Sequence, residues 1–70
     1  MALIQNDHEL KVMLGRIVRF QELVLGMRQV ETNPVNYRAS AGGFLDEIDR
    51  IQLEVREYLM LPPTEGDTRP

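Results

Sequence analysis

A chain of 70 residues without cysteine has room for one domain with a limited core, and it cannot use disulfides or thiolate metal sites to stabilise that core. It carries 8 Lys and Arg against 11 Asp and Glu, a formal net charge of −3 and a pI near 5.0. This balance argues against a nucleic-acid-binding surface, which needs clustered basic residues. We expect one domain, residues 1–61, and a disordered polar tail, residues 62–70, that has no apolar anchor.

The first predicted helix runs over about residues 7–30. Asn6 is its expected N-cap, with Glu9 at the capping-box position three residues later. Ahead of the cap, Leu3 and Ile4 are expected to pack on the first turn. Apolar residues recur at spacings of 3 and 4, the stripe of an amphipathic helix, at Leu10, Met13, Ile17, Phe20, Val24 and Met27.

The second predicted helix repeats this stripe and ends near residue 61, ahead of Pro62-Pro63. Thr32-Asn33-Pro34 ends the first helix, because the residue before a proline is pushed out of the α region. The start of the second helix stays open between about residue 36, capped by Asn33, and residue 41, capped by Ser40, since Gly42-Gly43 weakens the longer helix. The stripe comprises Ala41, Phe44, Ile48, Ile51, Val55 and Tyr58.

Two stripes of equal length joined by a short connector predict an all-α fold, an antiparallel two-helix hairpin with coiled-coil-like packing. The first helix is apolar beyond its stripe, with Leu14, Val18 and Leu25 to one side and Val12, Leu23 and Val30 to another. This arc is wider than one helix can cover. A second copy is the favoured cover, giving a homodimeric four-helix bundle, and a groove for a helix or strand of a different protein is the alternative.

No residue pattern indicates catalysis, a cofactor or a metal. Asp46, Glu47 and Asp49 point in different directions on a helix, and we expect a solvated face there, with Asp46 one turn before Arg50. His8 is the only histidine and is expected at the surface. Ala41-Gly42-Gly43-Phe44 lacks the strand and Lys of a phosphate-binding loop.

The aromatic residues and two glycines of the first helix each allow two interpretations. Tyr37, Phe44 and Tyr58 are in phase with the stripe and are expected in the core, with the Tyr hydroxyls reaching solvent, although aromatics also anchor partners. Gly15 and Gly26 lie near one line of the first helix and are either tolerated surface positions or points of close helix approach.

No apolar run is long enough to span a bilayer and no secretion signal is evident, so we expect a cytoplasmic protein.

Several segments resemble a known hairpin: Leu3-Ile4-Gln5-Asn6-Asp7-His8-Glu9-Leu10, Arg19-Phe20-Gln21-Glu22, Phe44-Leu45-Asp46-Glu47-Ile48 and Leu53-Glu54-Val55-Arg56-Glu57-Tyr58. Over about residues 3–61 the chain is similar to the helical hairpin that precedes the DNA-binding domain in bacterial helix-turn-helix (Xre-like) antitoxins. The resemblance implies a bacterial, cytoplasmic module for dimerisation or for contact with a partner such as a toxin. In that class a helix-turn-helix follows the hairpin, whereas Pro62-Pro63 and a polar tail follow here, so DNA binding does not carry over.

The predicted function is protein interaction without enzymatic activity, as an adaptor or antitoxin-like protein that binds through the first helix or the tail. A purely structural dimerisation or assembly subunit is the alternative, and a nucleic-acid regulator using Arg16, Arg19 and Arg28 is a third, less favoured one. No catalytic, cofactor-binding or metal-binding residue is predicted. The predicted core and interface residues are Leu10, Met13, Leu14, Ile17, Val18, Phe20, Val24, Leu25, Met27, Phe44, Ile48, Ile51, Val55 and Tyr58.

Overall fold

The computed structural model describes residues 4–62, which form two helices, α1 (Asp7–Val30) and α2 (Pro34–Leu59). Residues 31–33 connect them, and no strand occurs within the described range. Phe20 packs on Phe44 and Asp7 meets Tyr58, so the numbers of facing residues sum to 64 or 65 and the helices run antiparallel. The predicted all-α helical hairpin is confirmed.

α1 begins where the capping pattern predicts. Asn6 has an extended backbone (φ −158°, ψ 172°), and its side chain accepts a 2.9 Å hydrogen bond from the N–H of Glu9. The Glu9 carboxylate in turn accepts a 2.7 Å hydrogen bond from the N–H of Gln5, one residue before the N-cap that a standard capping box would reach. Asp7 and Glu9 also place negative charge at the positive end of the helix dipole.

Asn33 determines where α2 starts. Its Oδ1 accepts hydrogen bonds from the N–H groups of Val35 at 2.9 Å and Asn36 at 3.2 Å. Pro34 takes the first helical position, where a missing N–H is not needed. The helix therefore starts ahead of residue 36, and the alternative start at residue 41 is wrong. It continues through Gly42-Gly43 although each glycine costs roughly 0.5–1 kcal/mol relative to alanine.

α2 ends at Leu59, two residues before the predicted end at residue 61. The N–H of Leu61 donates to the Tyr58 carbonyl at 3.1 Å, which is the tighter i to i+3 pattern that closes helices. Pro62 follows, and a proline disfavours the α conformation in the residue before it. The helix therefore ends slightly earlier than the sequence predicts.

The core lies along the seam between the helices. Ile4, from the segment before α1, is only 3% exposed, which confirms that it packs on the hairpin, while Leu3 lies outside the described residues. Leu10, Met13 and Phe20 pack against the core cluster and are partly buried. That cluster comprises Ile4, Ile17, Ile48, Ile51, Val55 and Tyr58.

Neither α1 nor α2 is long and apolar enough to cross a membrane. The predicted disordered tail falls, beyond Pro62, outside the described residues. What the fold supplies for function is therefore the surface of the hairpin, since its core is a single seam between two helices.

Candidate protein interface

The predicted core and interface residues divide into two groups in the hairpin. Those of the first group face the opposite helix, and those of the second group, Leu14, Val18 and Leu25, remain 44%, 52% and 53% exposed. Within the first group some residues are buried and others are half-buried. The buried ones are Ile17, Val24, Ile48, Ile51, Val55 and Tyr58, and the half-buried ones are Leu10, Met13, Phe20, Met27 and Phe44.

Arg16, Glu47, Arg50 and Glu54 define one long side of the hairpin, which we call the charged side. Arg16 of α1 lies beside Arg50 and Glu54 of α2 around a cavity of about 80 Å³ at the seam. Arg16 also acts electrostatically on Glu47 from across the interface. Both helices therefore present charges to solvent along this side.

The Arg50 guanidinium donates hydrogen bonds to the Glu47 carboxylate, one of them 3.3 Å long from Nε. This contact lowers the pKa of the Glu47 carboxyl, and the positive charges of Arg50 and Arg16 lower it further. Asp46 and Arg50 are both exposed, as predicted, and the guanidinium binds the carboxylate three positions before it, Glu47, and not the one four positions before it. Both side chains are exposed, so the ion pair contributes little to stability.

The opposite long side carries exposed aliphatic residues on both helices, with Gln21 and Gln52 among them by helical spacing. Val18 follows Arg16 by two residues and Leu45 precedes Glu47 by two, and two residues turn a helix by about 200°. Val18 and Leu45 therefore lie together, across the hairpin from the charged side. Helical spacing adds Leu14 and Leu25 on α1, and Leu59 on α2, fourteen residues after Leu45.

We call this surface the apolar side: Leu14, Val18, Leu25, Leu45 and Leu59. Their exposed fractions range from 44% to 63%. The interface prediction contained only the three residues of α1. Leu45 and Leu59 were not among the predicted interface residues, although their separation of fourteen residues is two heptads and places them on one face of α2. Both helices therefore contribute exposed aliphatic residues to one side of the hairpin, and exposed apolar patches often mark interaction sites.

The other flank of α1 is also partly apolar, with Val12, Leu23 and Val30 at 53%, 47% and 79% exposed. On that flank, however, α2 presents the charged side. A partner docked there would have to cover Glu47 and Arg50 along with the aliphatic residues, and removing such charges from water is costly.

A basic groove crosses the outer surface of α1. Lys11, Arg16 and Arg19 surround an open volume of about 490 Å³ together with Val12, Gly15 and Phe20. Arg28, the third arginine of the nucleic-acid hypothesis, instead lines a cavity of about 280 Å³ at the loop end with Glu31, Thr32, Pro34 and Tyr37. The structure thus brings two of the three arginines together and separates the third.

The aromatic side chains contribute contacts within the hairpin. The rings of Phe20 and Phe44 meet edge to face, with centroids 5.5 Å apart. Tyr58 is buried, and its hydroxyl donates a 2.6 Å hydrogen bond to Asp7 Oδ1, a residue that is itself exposed. Tyr37 is half-buried near the loop. The Tyr58 contact ties the last turn of α2 to the first turn of α1.

Within residues 4–62, no three His, Cys, Asp or Glu side chains come together in a group that could hold a metal ion. His8 is exposed, as are Asp46 and Asp49. The described surface is mainly aliphatic on one long side of the hairpin and charged on the other.

Comparison of the chain with models of protein families, with curated proteins and with solved structures gave no match.

Proposed function

We propose that the chain is a non-enzymatic protein-interaction module that binds another helical surface through its apolar side. The observation that carries this proposal is the set of five half-exposed aliphatic residues on one side of both helices. Hydrophobic surface of this extent is unfavourable in water, and covering it is the main source of free energy for protein association.

The hairpin itself gives a second reason for a partner. Domains shorter than about 70–80 residues rarely gain enough free energy from one core, and those without disulfides or metals often gain the remainder by association. This chain has no cysteine, and its core is a single seam. Binding another protein would then both complete the fold and perform the function.

The resemblance to antitoxin hairpins suggests the setting of that function: a bacterial, cytoplasmic adaptor whose partner is a second protein such as a toxin. A purely structural assembly subunit is the alternative. The two differ in what touches Val18, since an adaptor presents its apolar side to a different protein and a structural subunit presents it to its own kind.

Site-specific photocrosslinking tests the proposal. A photoreactive phenylalanine derivative replaces Val18 on the apolar side or, as the control, Val12 on the other flank of α1, where the exposed fractions are 52% and 53%. In cells that express the full chain, we expect crosslinked adducts from position 18 and few from position 12. An adduct of twice the chain mass would favour the structural role, and an adduct with another protein would favour the adaptor.

Equal yields from both positions, or no adduct from position 18 in a chain that is helical, would contradict the proposal. Either result would mean that the apolar side stays in water and that some other surface carries the function.

A further inference from the structure

We infer that a second copy of this chain covers the apolar side, its own apolar side facing the first so that two hairpins form a four-helix dimer. The inference rests on the proposed function and names the partner of that surface. Of the two roles given above, it selects the structural one, in which the chain presents its apolar side to its own kind. Three features of the hairpin carry it: the length of the apolar side, its area and the distribution of charge around it.

The apolar side is nearly as long as the hairpin. Facing residues sum to 64 or 65, so Leu45 lies level with residue 19 or 20 of α1, and Leu59 lies level with residue 5 or 6. The five aliphatic residues, three on α1 and two on α2, are therefore spread from the level of residue 5 or 6 to Leu25. At 1.5 Å per residue this is about 30 Å. A partner must offer an apolar surface of the same length, and a second copy does.

The area also fits. Two packed helices, each about 10 Å wide, and a length of about 36 Å for α1 give a side of roughly 700 Å². A stable protein–protein interface of standard size buries about 800 Å² on each partner. One face of this hairpin against one face of another therefore reaches the range of a specific dimer, whereas a single partner helix would cover about half of it.

Charge excludes the other long side. A second copy docked on the charged side would remove Arg16, Glu47, Arg50 and Glu54 from water, which is costly. On the apolar side, Leu14 and Val18 lie near the middle of the hairpin, and the residues that the same helical spacing places beside them, Gln21 and Gln52, are uncharged. The centres of protein interfaces are depleted of charged residues, so this side suits a second copy better than the charged side does.

Cysteine protection tests the inference on the full chain, which has no native cysteine to interfere. Val18→Cys and Val12→Cys are matched, because both positions lie on α1 with exposed fractions of 52% and 53% in the single hairpin. A maleimide should modify the thiol at position 18 several-fold more slowly than the thiol at position 12 at high protein concentration. On dilution below the dissociation constant, the two rates should become equal.

Sedimentation equilibrium with circular dichroism on the same samples supplies the mass. The unmodified chain and Val12→Asp should sediment as helical dimers, and Val18→Asp should sediment as a monomer. Should Val18→Asp lose its helices because folding needs the dimer, the cysteine pair still reports which side is covered.

Two results would overturn the inference. A helical monomer at the highest concentration reached would exclude the second copy, yet a crosslink from position 18 to a different protein would leave the proposed function standing. Equal protection of both thiols in a dimer would place the interface elsewhere, and with no adduct from position 18 the proposed function would fail as well.

Discussion

α1 and α2 carry the same stripe over nearly the same length, yet they bury their apolar residues to different extents. α2 buries Ala41, Ile48, Ile51, Val55 and Tyr58, whereas α1 buries Ile17 and Val24. One antiparallel helix covers most of the apolar surface of α2 and leaves α1 apolar on two further flanks. Most of the apolar surface that the hairpin leaves exposed therefore belongs to α1.

The largest expected effect is at the seam of α1. Ile17 is 7% exposed, and Ile17→Asp would place an unpaired carboxylate in the core at a cost of more than about 3 kcal/mol, close to all the stability that a core of this size supplies. We expect loss of the helical signal in circular dichroism, as for Ile48→Asp in α2. Val12→Asp, at an exposed position of α1, should retain it. Helicity that survives Ile17→Asp would show that α1 does not turn this face inward.

The two N-caps should differ in strength. Asn33 accepts two backbone hydrogen bonds at the start of α2, and Asn6 accepts one at the start of α1. Asn33→Ala should lower the free energy of unfolding by about 1–2 kcal/mol and Asn6→Ala by about 1 kcal/mol or less, measured by urea denaturation. The reverse order would mean that the connector, and not the cap, positions α2.

Tyr58 ties the end of α2 to the start of α1 through Asp7. Tyr58→Phe removes that hydrogen bond and should lower the free energy of unfolding by about 1 kcal/mol. Tyr37→Phe is the control, because the Tyr37 hydroxyl has no hydrogen bond among the described residues, and its effect should be close to zero. Equal effects in urea denaturation would mean that the 2.6 Å contact does not persist in solution.

The sequence predicted the seam because periodicity reports which residues share a face, and Ile17 and Ile48 are buried as that argument requires. It left the start of α2 open between residues 36 and 41, since two glycines weakened a helix that the Asn33 cap and the packing of Ala41 then stabilised. The cap favours a helix and the glycines disfavour it, and only the tertiary contacts decide which effect is larger.

Contacts between the helices were harder to predict. Arg50 had an acid three residues before it and another four residues before it, and either spacing permits an ion pair on a helix. The Tyr58 to Asp7 hydrogen bond joins residues 51 positions apart, and it depends on a register that the length of the connector sets. For the same reason the sequence predicted only the α1 residues of the apolar side. The register has to be known before Leu45 can be placed beside Val18.

The smallest expected effect compares one glycine in each helix, at positions where an added methyl group has room. A Cβ added at Gly15 of α1 or at Gly43 of α2 would meet no atom within 4 Å. Gly15→Ala and Gly43→Ala should therefore each raise the free energy of unfolding by about 0.5–1 kcal/mol, since alanine favours the helix over glycine. Thermal melts at matched concentration would measure both. If only Gly15→Ala lowers stability or weakens the dimer, the loss has to come from a second molecule lying close to the α1 backbone, because the hairpin itself leaves that space open. The partner would then occupy the basic groove of Lys11, Arg16 and Arg19 and not the apolar side.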